Sequence, residues 1–196
     1  MDSKIILASQ SKVRKKILEQ YGINCEVQPS YIDEDAVKES LNKQKVSPEI
    51  VSKNLAELKS NKISQKFPAS FVIGADSVID LEGQVISKPE SREDALNILK
   101  NLNGKIHHLI SSVCISKNGG MIWNYTDKAA LTMKKLSSQD LEIYLSKISD
   151  DNLYAYNVYQ IEGLGRSLFS KIEGNENTIM GLPVEKIKEY LQQYND

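Results

Sequence analysis

Short apolar runs that pass directly into a helical pattern restrict the fold of this chain more than any other feature. Residues 5–8 form the first such run, and residues 12–21 then place Val13, Ile17 and Leu18 on one helical face. A short apolar run is typical of a buried strand, and a 3.6-residue period is typical of a helix that packs on a sheet. The chain therefore begins with a strand followed by a helix.

Later segments have the pattern of a sheet that also contains hairpins. Residues 71–74 are a continuous apolar run that predicts a central strand ending at Asp76. Three further strand patterns lie next to glycine-containing turns, namely residues 78–86 around Glu82-Gly83, residues 106–115 and residues 121–133. Hairpins make neighbouring strands antiparallel, whereas strand–helix units make them parallel. We therefore expect an α/β protein with a mixed β-sheet.

Helices are predicted where a start signal precedes an amphipathic stretch. Ser47-Pro48, Ser91 and Ser137 are such start signals, since serine caps a helix and proline suits its first turn. The predicted helices are a loose one within residues 31–45, one beginning at Pro48, one over 94–102, one over 141–148 and a short one after Pro183. The segment between 148 and 167 is expected to be irregular.

The charge balance and the cysteine content limit the class of protein. The 25 basic and 26 acidic residues give a net charge of −1, which argues against a basic surface for nucleic acid or acidic membranes. No stretch approaches the ~20 apolar residues of a membrane helix. Cys25 and Cys114 are too few for a disulfide framework and indicate free thiols in a reducing compartment. We expect one cytoplasmic domain over residues 1–196 that binds neither nucleic acid nor membrane.

Hydroxyls and cations surround the turn between the first strand and the first helix. Ser9 and Ser11 lie in the turn and Arg14 lies in the first helical turn. Unpaired N–H groups at a helix N-terminus, together with hydroxyls and a guanidinium, can bind phosphate oxygens. The alternative is that a serine only caps the helix while the cations face water. The usual phosphate loop, G-x-x-x-x-G-K-[ST], is absent.

Three charged residues elsewhere are candidates for chemistry. Asp76, expected at the end of a buried strand, can hold a divalent metal or take a proton from water, or it can only form a turn. Lys88 is either a phosphate ligand or a solvated lysine. Glu162 can accept the two parallel donors of a guanine edge, or it is merely the polar residue before a turn. Gly163 and Gly165 suit a tight bend or a close backbone approach.

Four separated stretches, in order along nearly the whole chain, resemble the motifs of the Maf family. They are "LASQSKVRKKIL", "VIGADSVI", "SKPESREDALNILKNLNGKIHHLISSVCI" and "IEGLGRSLFSKIEGNENTIMGLP". Two weaker matches, "YIDEDAV" and "NLAELKS", contribute Glu34 and Lys59. The resemblance implies an elongated mixed sheet flanked by helices, in two lobes with a central cleft, as in the related enzymes that remove inosine triphosphate.

The resemblance also implies an activity and a set of site residues. The family's members are nucleoside triphosphate pyrophosphatases, hydrolases that cleave between the α and β phosphates of NTPs, dNTPs and modified nucleotides. Asp76 then takes the catalytic role, and Glu34 joins it as ligand of a divalent metal, Mg²⁺ or Mn²⁺. The implied phosphate binders are Ser9, Ser11, Arg14, Lys59 and Lys88. A homodimer is also implied.

Three positions depart from the family's pyrimidine-preferring branch or from its 7-methylguanosine triphosphate branch. Val13 stands where the first of two arginines is usual, and Glu162 stands where the pyrimidine-preferring branch has glutamine. Glu162 resembles the branch that acts on 7-methylguanosine triphosphate, but Ser77 stands where that branch has glutamine. These three residues are therefore expected to set base specificity, with a tendency towards a guanine-type or modified base. The alternative function is a non-catalytic, nucleotide-binding regulator of cell division.

Overall fold

In the computed structural model of the chain, residues 4–194 are described, apart from the side chains of residues 155 and 156. The strands are β1 Ile5–Leu7, β2 Glu26–Val27, β3 Phe71–Leu81, β4 Gln84–Ile86, β5 Ile106–Lys117, β6 Gly120–Met133 and β7 Phe169–Glu173. The helices are α1 Lys12–Gln20, α2 Glu34–Lys43, α3 Pro48–Ser64, α4 Arg92–Leu102, α5 Ser138–Ser146, α6 Asp150–Tyr156, α7 Glu176–Ile179 and α8 Val184–Gln192. A 3₁₀ turn, Leu164–Leu168, precedes β7.

The seven strands form one mixed sheet in the order β2-β1-β3-β5-β6-β7, with β4 also paired to β3. β1 is parallel to β2 and to β3, while the pairs β3–β4, β3–β5, β5–β6 and β6–β7 are antiparallel. The initial strand–helix unit accounts for the parallel part, and the hairpins account for the antiparallel part. The predicted α/β fold with a mixed sheet flanked by helices is confirmed.

One edge of β3 carries a notch. β1 pairs with this edge over residues 71–73, and β4 pairs with it over residues 79–81. Within the described chain, no strand pairs with this edge over residues 74–78, whereas β5 follows the other edge from residue 72 to residue 80. At this notch Asp76 and Ser77, on opposite faces of the strand, both line a cleft.

Two hydrophobic clusters lie on the same face of the sheet, one on each side of this cleft. The first lobe packs around α1 and α8 and includes Leu7, Ile17, Ile73, Ala75, Val113 and Ile187. The second lobe packs around α4 and α5 and includes Ile79, Leu81, Leu99, Leu109, Leu131 and Leu145. Ser77 of β3 lies between the two sets of β3 residues, opposite Ser111 of β5. The predicted two lobes with a central cleft are therefore present.

Helix α3 covers the opposite face of the sheet at Gly74. A Cβ atom at Gly74 would lie 2.2 Å from the carbonyl oxygen of Ala56 and 2.7 Å from the backbone nitrogen of Ser60. Only glycine permits this approach. The close packing brings Lys59, on the same helix, against the neighbouring part of β3.

Several elements differ from the sequence-based expectations. β3 does not end at Asp76 but continues to Leu81, because β5 pairs with it over this whole stretch. The loose helix is the regular α2, capped by the side chain of Asp33, and the segment expected to be irregular contains α6. The hairpin at Glu82-Gly83 is confirmed, with φ of 55° and 84° in the two-residue turn.

Among residues 4–194, no helix combines the length and apolar character needed to cross a membrane. Cys114 is buried and Cys25 is half-buried, and both are free thiols.

Candidate active site

All ten residues singled out from the sequence line one cleft of about 600 Å³ between the lobes. They are Ser9, Ser11, Val13, Arg14, Glu34, Lys59, Asp76, Ser77, Lys88 and Glu162. They come from α1, α2, α3, β3 and three loops, so only the folded chain brings them together. The cleft is also lined by Lys38, which makes four cationic side chains against three carboxylates.

Lys59 joins two acidic side chains beneath the cleft. Its ammonium nitrogen lies 2.7 Å from Asp76 Oδ1 and 2.7 Å from Glu34 Oε1. Lys59 is 6% exposed and Asp76 is 4% exposed, so this contact is largely shielded from water. Two of the three ammonium N–H groups are thereby donated to protein oxygens, which leaves at most one for a ligand.

The pKa of Glu34 reflects this pairing. Burial on its own would raise the pKa of the Glu34 carboxyl, but the Lys59 ammonium 2.7 Å away, with Lys38 and Lys88 beyond it, holds the pKa below the ordinary value. Glu34 is the first residue of α2, where the positive end of the helix also favours a carboxylate. Glu34 is therefore ionised at neutral pH.

Asp76 has one carboxylate oxygen to spare. Oδ1 accepts a hydrogen bond from Lys59, whereas Oδ2 is buried and accepts none from any residue that the structure describes. The backbone of Asp76 is fixed separately, because its carbonyl accepts a 3.0 Å hydrogen bond from the hydroxyl of Ser52 on α3. An unsatisfied buried carboxylate oxygen calls for a cation, a water or a ligand proton.

The donor set suits a cation shared with a ligand better than one held by protein alone. Over residues 4–194, no group of three or more histidine, cysteine or acidic side chains is arranged to hold a metal ion. Glu34 and Asp76 are two carboxylates at one place, and Mg²⁺ is commonly bound by one or two carboxylates together with substrate phosphates and water. The residues present therefore fit a divalent cation that arrives with phosphate.

The turn after β1 both caps helix α1 and lines the cleft. The hydroxyl of Ser11 caps α1 by accepting a 3.3 Å hydrogen bond from the backbone N–H of Arg14. Ser9, which is 9% exposed, also faces the cleft. Capping and cleft lining therefore coexist, since one serine caps the helix while both serines border the site.

Arg14 uses most of its side-chain N–H groups for hydrogen bonds to other residues of the protein. Nε bonds to the carbonyl oxygen of Gly181 at 2.9 Å, and Nη1 bonds to that of Ala75 at 2.9 Å and to Ser9 Oγ at 3.3 Å. Nη2 bonds to Ser77 Oγ at 3.3 Å. Burial lowers the pKa of Arg14, and the nearby Asp76 and Glu34 oppose that effect.

Lys88 lies on the lip of the cleft. The residue as a whole is exposed, but its ammonium lies among the cleft's charges. Partial loss of hydration lowers the pKa of Lys88, the carboxylate of Glu34 raises it and Lys38 lowers it further, with a net decrease. The charge of Lys88 is therefore lost at a lower pH than that of a free lysine.

The loop after α6 lines the cleft on the side of the second lobe, with which its residues Tyr159 and Ile161 pack. Glu162 is exposed, in a turn closed by a 3.2 Å hydrogen bond from Gly163 N to the carbonyl of Gln160. A Cβ at Gly165 would lie 2.5 Å from that same carbonyl oxygen, so the loop folds back on itself there. The tight bend predicted from the glycines is therefore present at Gly165. Val13, on the other side of the cleft, packs against the first lobe.

Some cleft residues were missed by sequence reasoning. Lys38 lies four residues after Glu34 on α2, a spacing that places both on one helix face and would have indicated it once a regular helix was assumed. Tyr159 lines the cleft, and its hydroxyl lies 2.7 Å from Nε2 of the buried His107. The Ser111 and Thr178 contacts behind Ser77 join residues far apart in the chain, and no local pattern marks them.

Comparison with known proteins decides the family. Residues 4–194 match the family described as Maf-like protein. This chain belongs to the Maf family. A nucleoside triphosphate pyrophosphatase of Pelagibacter ubique strain HTCC1062 is 71% identical over 98% of this chain and 98% of its own length. The Maf resemblance inferred from the sequence motifs is thus confirmed.

Other Maf relatives and a solved structure are also similar. A 7-methyl-GTP pyrophosphatase of Bartonella henselae strain Houston 1 is 43% identical, over 92% of this chain and 90% of its own length. A solved nucleoside-triphosphatase, described as a dITP/XTP pyrophosphatase, from Mycobacterium abscessus covers 96% of this chain and 93% of its own, with 12% identity and a TM-score of 0.45.

Proposed function

We propose that this Maf protein is a nucleoside triphosphate pyrophosphatase. It adds water to the α-phosphorus of an NTP or dNTP, breaks the bond from that phosphorus to the oxygen bridging the α and β phosphates, and releases a nucleoside monophosphate and pyrophosphate. The observation that carries the proposal is the Glu34–Lys59–Asp76 group, in which Lys59 and Asp76 are buried, beside Ser9, Arg14 and Lys88 in one cleft. The 71% identical relative named for this activity supports it.

The cleft's own charge explains why a divalent cation belongs to the proposal. Lys38 and Lys59 are already paired with the carboxylates of Glu34 and Asp76, which leaves mainly Arg14 and Lys88 to face the charge of the phosphates. They cannot by themselves neutralise a triphosphate. Glu34 and Asp76 would hold Mg²⁺ or Mn²⁺, and the bound cation would supply charge neutralisation at the phosphate oxygens.

Each protein group has a role in this proposal. Ser9, Ser11, Arg14 and Lys88 bind or organise the triphosphate, and Lys59 contributes its remaining N–H. Asp76 Oδ2, which accepts no hydrogen bond from the described residues, orients the attacking water or accepts its proton. Stabilisation of charge on the departing pyrophosphate comes from the fixed cations on the same side of the cleft.

Product identity tests the proposal. Purified protein is incubated with each of a set of ordinary and modified nucleoside triphosphates in Mg²⁺ or Mn²⁺, and phosphorus NMR identifies the products. Monophosphate and pyrophosphate in equal amounts are expected from at least one substrate. Orthophosphate as the sole product would show a phosphatase instead. Nucleotide binding without any turnover would support the alternative of a non-catalytic regulator.

For the base, we propose a guanine-type or modified purine that is read by Glu162. Glu162 lines the cleft next to Ile161 of the second lobe, whereas Ser9 precedes α1 of the first lobe, so a nucleotide that spans the cleft from Ser9 would bring its base towards Glu162. Its carboxylate can accept both N1–H and the exocyclic amine of guanine. The 43% identical relative named for 7-methyl-GTP supports this choice. Glu162→Gln should lower kcat/KM for guanine substrates more than for adenine substrates, and equal losses would contradict the assignment.

A further inference from the structure

A hydrogen-bond chain behind the cleft has a single possible direction. The hydroxyl of Ser111 donates to the carbonyl oxygen of Thr178 at 2.6 Å, because a carbonyl can only accept. The one proton of Ser111 is thereby used. In the 2.7 Å contact between Ser77 Oγ and Ser111 Oγ, Ser77 must therefore be the donor. Ser77 in turn accepts from Arg14 Nη2, so the chain starts at the guanidinium and ends at Thr178.

This chain fixes one wall of the cleft. Thr178 is fully buried, and its own hydroxyl donates to Asp127 Oδ2 at 2.6 Å, so it is held from a second side. Gly181, three residues later, accepts from Arg14 Nε and has φ of 96°. A Cβ at Gly181 would lie 3.0 Å from Ser77 Oγ. Residues 178–181 are thus clamped against β3 by Arg14 and Ser77.

The same guanidinium determines the direction of the Ser9 hydroxyl. Ser9 Oγ accepts one hydrogen bond from the backbone N–H of Ser11 at 3.2 Å and another from Arg14 Nη1 at 3.3 Å. A hydroxyl oxygen has two acceptor positions, and both are used. The remaining function of Ser9 is to donate its proton, and phosphate oxygens are acceptors.

Counting donors limits what Arg14 itself can do for a ligand. A guanidinium has five N–H groups, and four of those of Arg14 are donated to Gly181, Ser9, Ala75 and Ser77. A bidentate contact with phosphate needs two parallel N–H groups. Arg14 therefore has at most one left, which rules out the paired contact that arginine usually makes with phosphate.

We propose that Arg14 is a positioning residue, which makes Ser9 a hydrogen-bond donor for a substrate phosphate oxygen and clamps residues 178–181 through Ser77, Ser111 and Thr178. Ser9 makes the contact with phosphate, and Arg14 acts through it. This inference rests on the proposed function, since it specifies how that site holds phosphate. It replaces the direct phosphate contact that the family resemblance implies for Arg14.

Binding of inorganic tripolyphosphate with Mg²⁺, measured by calorimetry, tests this inference without requiring turnover. Arg14→Lys keeps the positive charge but cannot bridge four acceptors. If Arg14 acts through Ser9, Arg14→Lys and Ser9→Ala should each weaken binding about tenfold, and the double variant should lose no more than about threefold beyond either one. Losses that multiply to about a hundredfold, or an Arg14→Lys variant that binds like wild type, would overturn the proposal.

Ser77 provides a second, milder test. Ser77→Thr keeps the hydroxyl that links Arg14 to Ser111, whereas Ser77→Ala removes it. Ser77→Ala is expected to weaken tripolyphosphate binding by about three- to tenfold, and Ser77→Thr to stay within twofold of wild type. Equal binding by Ser77→Ala and wild type would refute the chain. Ser112→Ala is the matched control, because Ser112 is also buried on β5 but bonds to Thr126 on the other face of the sheet.

The two proposals can fail separately. If the protein binds tripolyphosphate with the expected variant pattern but releases no pyrophosphate from any NTP, the role of Arg14 stands and the proposed activity does not. If pyrophosphate is released while Arg14→Lys and Ser9→Ala act independently on tripolyphosphate binding, the activity stands and Arg14 is a direct ligand.

Discussion

The ammonium of Lys59 lies 2.7 Å from Asp76, although the two residues come from different elements, α3 and β3. The contact depends on Gly74, because only a glycine lets α3 approach the strand closely enough. With Glu34 on the other side, one buried cation separates two carboxylates. One ammonium and two carboxylates leave a net negative charge at the base of the cleft, which favours the binding of a further cation.

Replacement of Asp76 by asparagine should abolish most turnover. Asp76→Asn removes the charge that orients water or holds the cation, and we expect kcat to fall about 10²- to 10⁴-fold. The fold should persist, because Lys59 keeps Glu34 as its partner. Steady-state pyrophosphate release measures the effect. Asp80→Asn is the control, since Asp80 is also buried on β3 but lies outside the cleft, and it should keep wild-type turnover. Turnover unchanged in Asp76→Asn would remove Asp76 from the mechanism.

Loss of Lys59 should destabilise the fold strongly. Lys59→Met leaves a buried carboxylate uncompensated at Asp76, and we expect the free energy of unfolding to fall by about 3 kcal/mol. Lys128→Met, which breaks a half-exposed contact with Asp80 at 3.4 Å, should cost under about 1 kcal/mol. Urea denaturation at pH 7 compares the two variants. Similar small losses in both would show that the buried contact contributes no more than the exposed one.

The lowered pKa of Lys88 predicts an alkaline decline in substrate capture. An ordinary lysine loses its charge near pH 10.4, and Lys88 in the free enzyme should lose its charge at a lower pH. We therefore expect kcat/KM to fall as the pH rises through the lowered pKa of Lys88. The kcat profile should change less, because bound phosphate favours the charged form. Lys88→Arg remains charged throughout and should move the decline in kcat/KM to higher pH. An identical profile in Lys88→Arg would assign the decline to another group.

The buried His107 predicts an acid-side loss of stability. Burial, and to a smaller extent the neighbouring His108, lowers the pKa of His107 from 6.5 to about 4. The unfolded chain therefore takes up a proton between these values while the folded chain does not. Stability is full above pH 6.5 and falls as the pH drops towards 4, by about 3 kcal/mol in total.

His107→Gln should remove this part of the pH dependence while keeping a partner for the Tyr159 hydroxyl. His108→Gln is the control, because His108 is half-exposed on the opposite face of β5, and it should keep the wild-type dependence. Urea midpoints measured from pH 7 to pH 4 decide between them. A wild-type slope in His107→Gln would place the responsible group elsewhere.

The close approach of α3 to Gly74 predicts that position 74 tolerates no side chain. Gly74→Ala would place a methyl group 2.2 Å from the carbonyl of Ala56, which forces α3 away from β3. We expect a loss of at least about 1–3 kcal/mol in the free energy of unfolding, together with lower turnover because Lys59 moves with the helix. Gly120→Ala is the control, since a Cβ there has no described atom within 4 Å. Thermal unfolding of both variants gives the comparison.

The sequence was sufficient for most of the element types and for the ten cleft residues that it singled out. Local periodicity, caps and glycine turns report on neighbouring residues, and they identified the strand–helix start and the Glu82-Gly83 hairpin. The full length of β3 could not be read in this way. The strand continues past Asp76 because β5 pairs with it, and pairing between distant segments leaves little trace in a single sequence.

The hydrogen-bond partners of Arg14 were even harder to predict from the sequence. A cation beside serines at a helix start indicates an anion site, and Arg14 does lie in the cleft. Its acceptors include carbonyl oxygens 61 and 167 residues away in the chain, at Ala75 and Gly181. Every residue has a carbonyl, so no residue type marks these acceptors before the chain is folded.

The continuity of β3 and β5 limits how the cleft can move. Both strands pass unbroken from one hydrophobic cluster to the other, with Ile73 and Ile115 on one side of the cleft and Ile79 and Leu109 on the other. Their mutual hydrogen bonds span the gap without a loop that could rotate. The two lobes are therefore joined by continuous hydrogen-bonded strands rather than by a hinge loop, and any change in the width of the cleft would require these strands to bend or twist.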